Sequence, residues 1–204
     1  ANWIKIANAC ETENQILGGY FKLGANITVE TMVTFERYDV DGLYGFKGVF
    51  DGCGYALDGL TATGNAFISC MTKDGVLKNI AFTNAKVAGG NFLCSGGLGT
   101  IENVYVQYVS ISAGSNNNGT IYNHCRDNQE GGKITGIFID ASQAVLSGSG
   151  ASFRLIGGAN NGYNGIFAVC PEGYTLTQAR GDGSLVANAV CAFADFAELK
   201  DNTE

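Results

Sequence analysis

Two segments of the chain lay over one another position by position: "GVLKNIAFTNAKV" from Gly75 and "GTIENVYVQYVSI" from Gly99. Each runs glycine, one intervening residue, an aliphatic, a charge, asparagine, an aliphatic, and then alternation. "GKITGIFIDASQA" from Gly132 continues the pattern, and "YNGIFAVC" from Tyr163 keeps its second half. Anchored on Ile80, Val104, Ile137 and Ile166, the units recur at spacings of 24, 33 and 29 residues. Self-similarity at roughly 20 to 35 residues is the mark of stacked repeats, in which no unit buries its apolar face alone.

Each unit is patterned as strand. Ile80 and Phe82, Val104 and Val106, and Ile137 and Ile139 alternate with their neighbours at period two. Turn residues (Gly, Asn, Ser, Asp) close each unit. No helical pattern of about 10 to 15 residues separates the units, which argues against βαβ construction. The expected fold is all-β: a right-handed parallel β-helix in which every unit makes one coil and successive coils pair about 4.8 Å apart. Slack in the period is natural there, because loops bulge from one corner while strands stay in register. The whole chain, 1–204, reads as one such domain, with 19–170 as coils. Residues 1–18 read as an N-terminal cap and 171–204 as a last coil and cap, shielding strand edges that would otherwise pair with other chains.

Composition agrees. A hydrophobic share of 46% against 15% charged residues provides for a sizeable core and argues against disorder. Thirty glycines with one proline mean many tight turns and few enforced kinks. A net charge of −7 disfavours nucleic acid as a partner, since phosphate binding draws on clustered Lys and Arg. No apolar run reaches the 18 or so residues of a membrane span, so no membrane insertion is expected. The chain opens without a secretory leader, as a cytosolic protein would, or one cut after its leader. Seven cysteines, none in C-x-x-C spacing, and the single His124 argue against zinc and against a complete disulfide framework.

The alignment assigns structural roles. Cys70, Cys94 and Cys125 fall at related points, in "FISC", "FLCS" and "YNHC", and are expected to stack as an interior column. Asn79 and Asn103 coincide, so their amides are expected to bond from coil to coil. Asp51 is placed to cap its own turn in an Asx arrangement, with Phe50, Leu57 and Leu60 filling the interior.

"GYFKLGANITV", "FKGVFDGCGYALDGLT" and "GVLKNIAFTNAKV" together resemble the GLUG-type β-helical repeats of large bacterial surface proteins, many of them gut-dwelling or host-associated and some adhesins. Phe46, Gly48, Phe50, Asp51, Gly52, Gly54, Tyr55, Leu57, Gly59 and Leu60 fill the middle block of that pattern, and Gly75, Leu77, Lys78, Asn79 and Ile80 the last. The likeness covers residues 19 to 112 well and the later coils loosely. It departs at "NAFISC" and "NFLCSGG", where the family often shows a Gly-Leu-Phe-Gly segment. The resemblance implies a secreted or cell-surface location and a place within a larger surface protein. It carries no catalytic residues, because the motif is architectural.

Candidate binding residues follow from the alternation. If Ile80, Val104, Ile137 and Ile166 point inward, Ala81, Tyr105, Phe138 and Phe167 point outward as a column with three aromatics. Such a strip, with Tyr108 as a further amphipathic side chain, suits stacking of sugar rings or a partner protein; the alternative is a second small core under a loop. Asp39 and Asp41 in "YDVDG" precede a glycine as the ligands of a calcium loop do, although the distal Glu of an EF-hand is missing and a solvated acidic turn accounts for them equally. No other cofactor is expected. "RGD" at Arg180 to Asp182 has loop composition, and chance accounts for it. His124 and Cys125, as neighbours, point to opposite faces of a strand and make no catalytic pair. The expected role is a non-enzymatic, adhesin-like binding or spacer module that recognises a glycan or a host surface protein. The alternative is a carbohydrate-active β-helix enzyme, a polysaccharide lyase or glycoside hydrolase, which needs a close pair of carboxyls or a base with calcium.

Overall fold

The computed structural model of the protein describes residues 18–29, 35, 39–40, 43–63, 66–88, 92–94, 99–112, 134–147, 152–157, 163–169 and 175–179. All assigned elements there are strands. They are β1 (Tyr20–Lys22), β2 (Ile27–Thr28), β3 (Asp39–Val40), β4 (Leu43–Tyr44), β5 (Val49–Asp51), β6 (Ala56–Asp58) and β7 (Thr61–Ala62). Then follow β8 (Val76–Ala88), β9 (Thr100–Ser112), β10 (Ile134–Asp140), β11 (Val145–Ser147), β12 (Ser152–Gly157), β13 (Tyr163–Val169) and β14 (Thr175–Ala179). The expected caps fall largely on 1–17 and 180–204, outside the described residues, as do Cys125, His124, Asp41 and the Arg180–Asp182 tripeptide.

Ten strands form one open sheet whose main path runs β1-β5-β8-β9-β10-β13, with β2, β6, β7 and β11 alongside. Every pairing in it is parallel. β12 and β14 pair parallel in a sheet of their own, and β3 and β4 form an antiparallel pair. The expected alignment of the repeats is the observed register. Ile80 lies opposite Val104, Val104 opposite Ile137, and Ile137 opposite Ile166.

The long strands are bent at particular residues. Asn79, Asn103 and Gly136 occupy one register position, and each adopts left-handed backbone, with φ of 53°, 51° and 63°. A left-handed residue adds one position to the alternation, so Leu77 and Ile80 both face the core although three apart, as do Ile101 and Val104. Asparagine and glycine are the residues that reach this region at low cost. β8 bends again at Asn84, φ 51°. There β8 places Thr83 and Asn84 between Phe82 and Ala85, where β9 has only Gln107 between Val106 and Tyr108. β9 then inserts Val109 where Ala85 and Lys86 are consecutive, and the register is restored at Lys86 opposite Ser110.

A column of glycines opens the successive units. The amides of Val49, Val76 and Thr100 donate to the carbonyls of Gly19, Gly48 and Gly75, at 2.9, 2.9 and 2.8 Å. A Cβ at Gly48 would run into the Gly19 carbonyl oxygen, and one at Gly75 into that of Phe46. The backbones approach too closely there for any side chain.

Between the sheet and the bridged segments around Phe35, Ile68 and Cys94 lies the core. Its axis is a chain of edge-to-face rings: Phe35, Phe67, Phe82, Phe92 and Tyr108 follow one another at 5.3 to 5.4 Å between centroids. Phe46 and Phe50 join at Phe35, at 5.5 and 5.7 Å. Perpendicular contacts set the electropositive ring edge on a neighbour's face, beyond what area burial alone provides. Phe50, Leu57 and Leu60 are interior as expected. The cysteine column is not as expected. Cys94 is buried, but it lies opposite Ile68, while Cys70 sits two residues further along and is only half-buried. Parallel pairing at Ile68 fixes that offset, so these two thiols do not share a rung.

Candidate functional site

Two outward columns run across the strands, one on each side of the bend at Asn79, Asn103 and Gly136. The first is Ala56, Ala81, Tyr105 and Phe138, with Phe167 at the corresponding register position on β13. Tyr105 and Phe138 are half-buried. The Tyr105 hydroxyl donates to Asp140 Oδ2 in a long hydrogen bond of 3.4 Å. Asp140 is held in place by its own turn, since its Oδ1 accepts from the Ser142 amide at 3.0 Å and the Ser142 hydroxyl at 2.7 Å. Burial, with the negative charge of Asp140, pushes the Tyr105 phenol well above the ordinary tyrosine range, so it stays a neutral donor.

Tyr108 does not belong to this face. It is 1% exposed and packs edge-on against Phe92 at 5.4 Å. Alternation from Val104 turns Val106 and Tyr108 inward, and the small Ala85 opposite leaves room for the ring. It is a core residue.

The second column is polar. Lys22, Asp51, Lys78, Glu102 and Thr135 stand at one register position on five successive strands, with charges alternating in sign over the first four. Asp51, 8% exposed, is its hub. Its Oδ1 accepts from the Cys53 amide at 2.9 Å and from Asn79 Nδ2 at 3.2 Å, and its Oδ2 from the Tyr20 hydroxyl at 3.1 Å. Lys78 Nζ lies 3.8 Å from the same Oδ2. Burial acts to raise the Asp51 carboxyl. The Cys53 amide, Asn79, Tyr20 and Lys78 together outweigh it, and the group sits below the ordinary aspartate range. Tyr20 is 56% exposed, with Lys22 Nζ 5.2 Å from its ring centroid. The Asn79 amide oxygen in turn accepts from Asn103 Nδ2 at 2.8 Å. Asp51, Asn79 and Asn103 thus form one ladder over three strands.

A smaller clamp repeats the theme at the second bend. Asp58 Oδ1 accepts from the Thr83 hydroxyl and from Asn84 Nδ2, both at 2.7 Å, and these bonds hold its carboxyl below the ordinary range.

The asparagine ladder and the Asx turn at Asp51 are legible in the aligned repeats. The union of the two is not, nor are the parts of Tyr20, Lys78 and Asp58. The signal available was the recurrence of opposite charges at one aligned position, "FKL", "FDG", "LKN" and "IEN". Asp39 lies on β3, and its proposed calcium partner Asp41 is outside the described residues. Among the described residues no group of three or more His, Cys, Asp or Glu side chains is arranged to hold a metal ion, and no helix is long and apolar enough to cross a membrane. No family model, curated protein or solved structure matches the chain.

Proposed function

We propose that the chain is part of a right-handed parallel β-helix and acts as a non-enzymatic binding or spacer module of a secreted or cell-surface, adhesin-like protein. Supporting the winding are the one-position register of the repeats, the recurring left-handed bends, and the bridges that join Phe35, Ile68 and Cys94 opposite the main sheet. The likeness to GLUG-type repeats points the same way. One observation carries the functional reading. Asp51, Asp58 and Asp140 are all committed to bonds that tie turns and neighbouring strands together, while a half-buried aromatic column faces outward beside them. Carboxylates used as architecture do not serve as acid and base. Side chains such as Tyr105 and Phe138 offer sugar rings an apolar face beside polar groups.

The test is a glycan array probed with the intact chain and with Tyr105→Ala. Retention of an oligosaccharide that falls about tenfold in the variant supports a binding module. Binding of none leaves the spacer role. Appearance of shortened or unsaturated sugars on incubation with polysaccharides would replace both with the enzymatic alternative.

A further inference from the structure

The amide ladder has a direction and an open end. It starts at an anion, the Asp51 carboxylate, and Asn79 and Asn103 each turn Nδ2 toward it and the amide oxygen away. Hydrogen-bonded dipoles aligned head to tail polarise one another, so the last oxygen in such a chain is a strengthened acceptor. That oxygen is Asn103 Oδ1. Asn103 is exposed, and its amide oxygen accepts from no described group. The next rung should supply a third asparagine, and it supplies Gly136 instead, in the same left-handed conformation at φ 63°. The position has space. A Cβ at Gly136 would lie 3.4 Å from the Asn103 backbone nitrogen and 3.6 Å from its Cα, which is ordinary contact. The ladder therefore ends in a notch open to a Cβ at Gly136, beside an exposed acceptor.

What surrounds the notch selects the occupant. Glu102, the chain neighbour of Asn103, adds a second acceptor on the polar side of the bend, and both acceptors suit a ligand that donates hydrogen bonds. Tyr105 and Phe138 lie on the other side of the bend, in the aromatic column, and suit a ligand that also presents an apolar face. Hydroxyl donors on one edge and a C–H face on the other are the chemistry of a pyranose ring. We infer that the Asn103–Gly136 notch is a hydroxyl-binding subsite for a neutral saccharide, with Asn103 Oδ1 as acceptor and Gly136 providing the room. This rests on the glycan-binding reading above and adds to it where on the surface the sugar is held.

Gly136→Asn tests it directly, because the backbone already suits asparagine and the new amide would donate to Asn103 in place of the ligand. Neutral oligosaccharides retained on an array are titrated into the intact chain and into the variant. The expected result is a melting temperature at or above that of the parent together with about tenfold weaker binding. Undiminished binding by a folded Gly136→Asn overturns the subsite and leaves the glycan reading standing, whereas retention of no saccharide by the parent overturns both. A second readout does not depend on the variant. In a 15N-labelled parent saturated with the retained sugar, the Asn103 side-chain amide resonances should shift, and their standing still would also overturn the assignment.

Discussion

Tyr20 and Asp51 lie 31 residues apart and meet through a 3.1 Å hydrogen bond across the β1–β5 pair. Three strands thereby converge on one carboxylate, since Asn79 of β8 reaches it from the other side. Substituting Asp51 with alanine should strip the acceptor from the Cys53 and Asn79 amides and cost about 2 to 3 kcal/mol. Asp51→Asn keeps one oxygen for those two donors and should cost about 1 kcal/mol. Urea denaturation of both variants gives the comparison; equal losses would mean that the ladder does not depend on that oxygen.

Acid should weaken the fold through the same groups. Asp51 and Asp58 have folded-state affinities for protons lower than their ordinary value of 3.8. The unfolded chain therefore takes up protons first, and the stabilisation is complete above that value and lost as pH falls through the depressed folded values. Melting temperature followed from pH 6 downward should fall on this limb, and Asp51→Asn should flatten it.

An alkaline limb is expected from tyrosine. Burial raises both Tyr105 and Tyr108 above their ordinary 10.0. The unfolded phenols lose their protons near 10, the folded ones resist, and stability falls as pH rises past that point. Tyr105→Phe should shallow this limb without removing it, because Tyr108 remains. Spectrophotometric titration at 295 nm should show the corresponding phenols ionising only as the chain unfolds.

Phe67 touches Phe35, Phe50 and Phe82 and is fully buried. Phe67→Ala should cost about 3 to 5 kcal/mol by opening a cavity midway along the ring chain. Phe67→Leu, which loses the edge-to-face contacts but fills most of the volume, should cost clearly less. Similar losses in the two would show that ring geometry, and not volume, dominates there.

Two glycines should behave oppositely. Gly75→Ala sets a methyl group against the Phe46 carbonyl and should destabilise by about 1 to 3 kcal/mol. Gly24→Ala meets nothing within 4 Å and should be neutral or gain up to about 1 kcal/mol through the unfolded state. Thermal melts of the pair distinguish close approach from a general dislike of side chains in turns.

How far the sequence reaches can be judged from these residues. Register was legible, because Ile80, Val104, Ile137 and Ile166 lie at one position of a repeated pattern that a parallel sheet must place side by side. The Asn79–Asn103 bond was legible for the same reason. The ring chain was not. Phe35, Phe67 and Phe92 lie between the repeated units, in segments without alternation, and only the folded chain brings them under the strands. Cys70 and Cys94 each lie five residues before a unit's opening glycine, Gly75 and Gly99, yet backbone pairing of Ile68 with Cys94 sets them two residues out of step. Residue type alone sets Tyr108 on the surface, whereas its even spacing from Val104 turns it inward.

The staggered extra residues of β8 and β9 carry a consequence for how such a chain changes length. Asn84 in one strand is balanced by Val109 in the next, so the surplus at the bend belongs to the pair of strands jointly. Removing Asn84 alone would leave Val109 uncompensated and slip Lys86 and Val87 by one position against Ser110 and Ile111. Lengthening or shortening at this bend can therefore succeed only as a matched edit on adjoining strands.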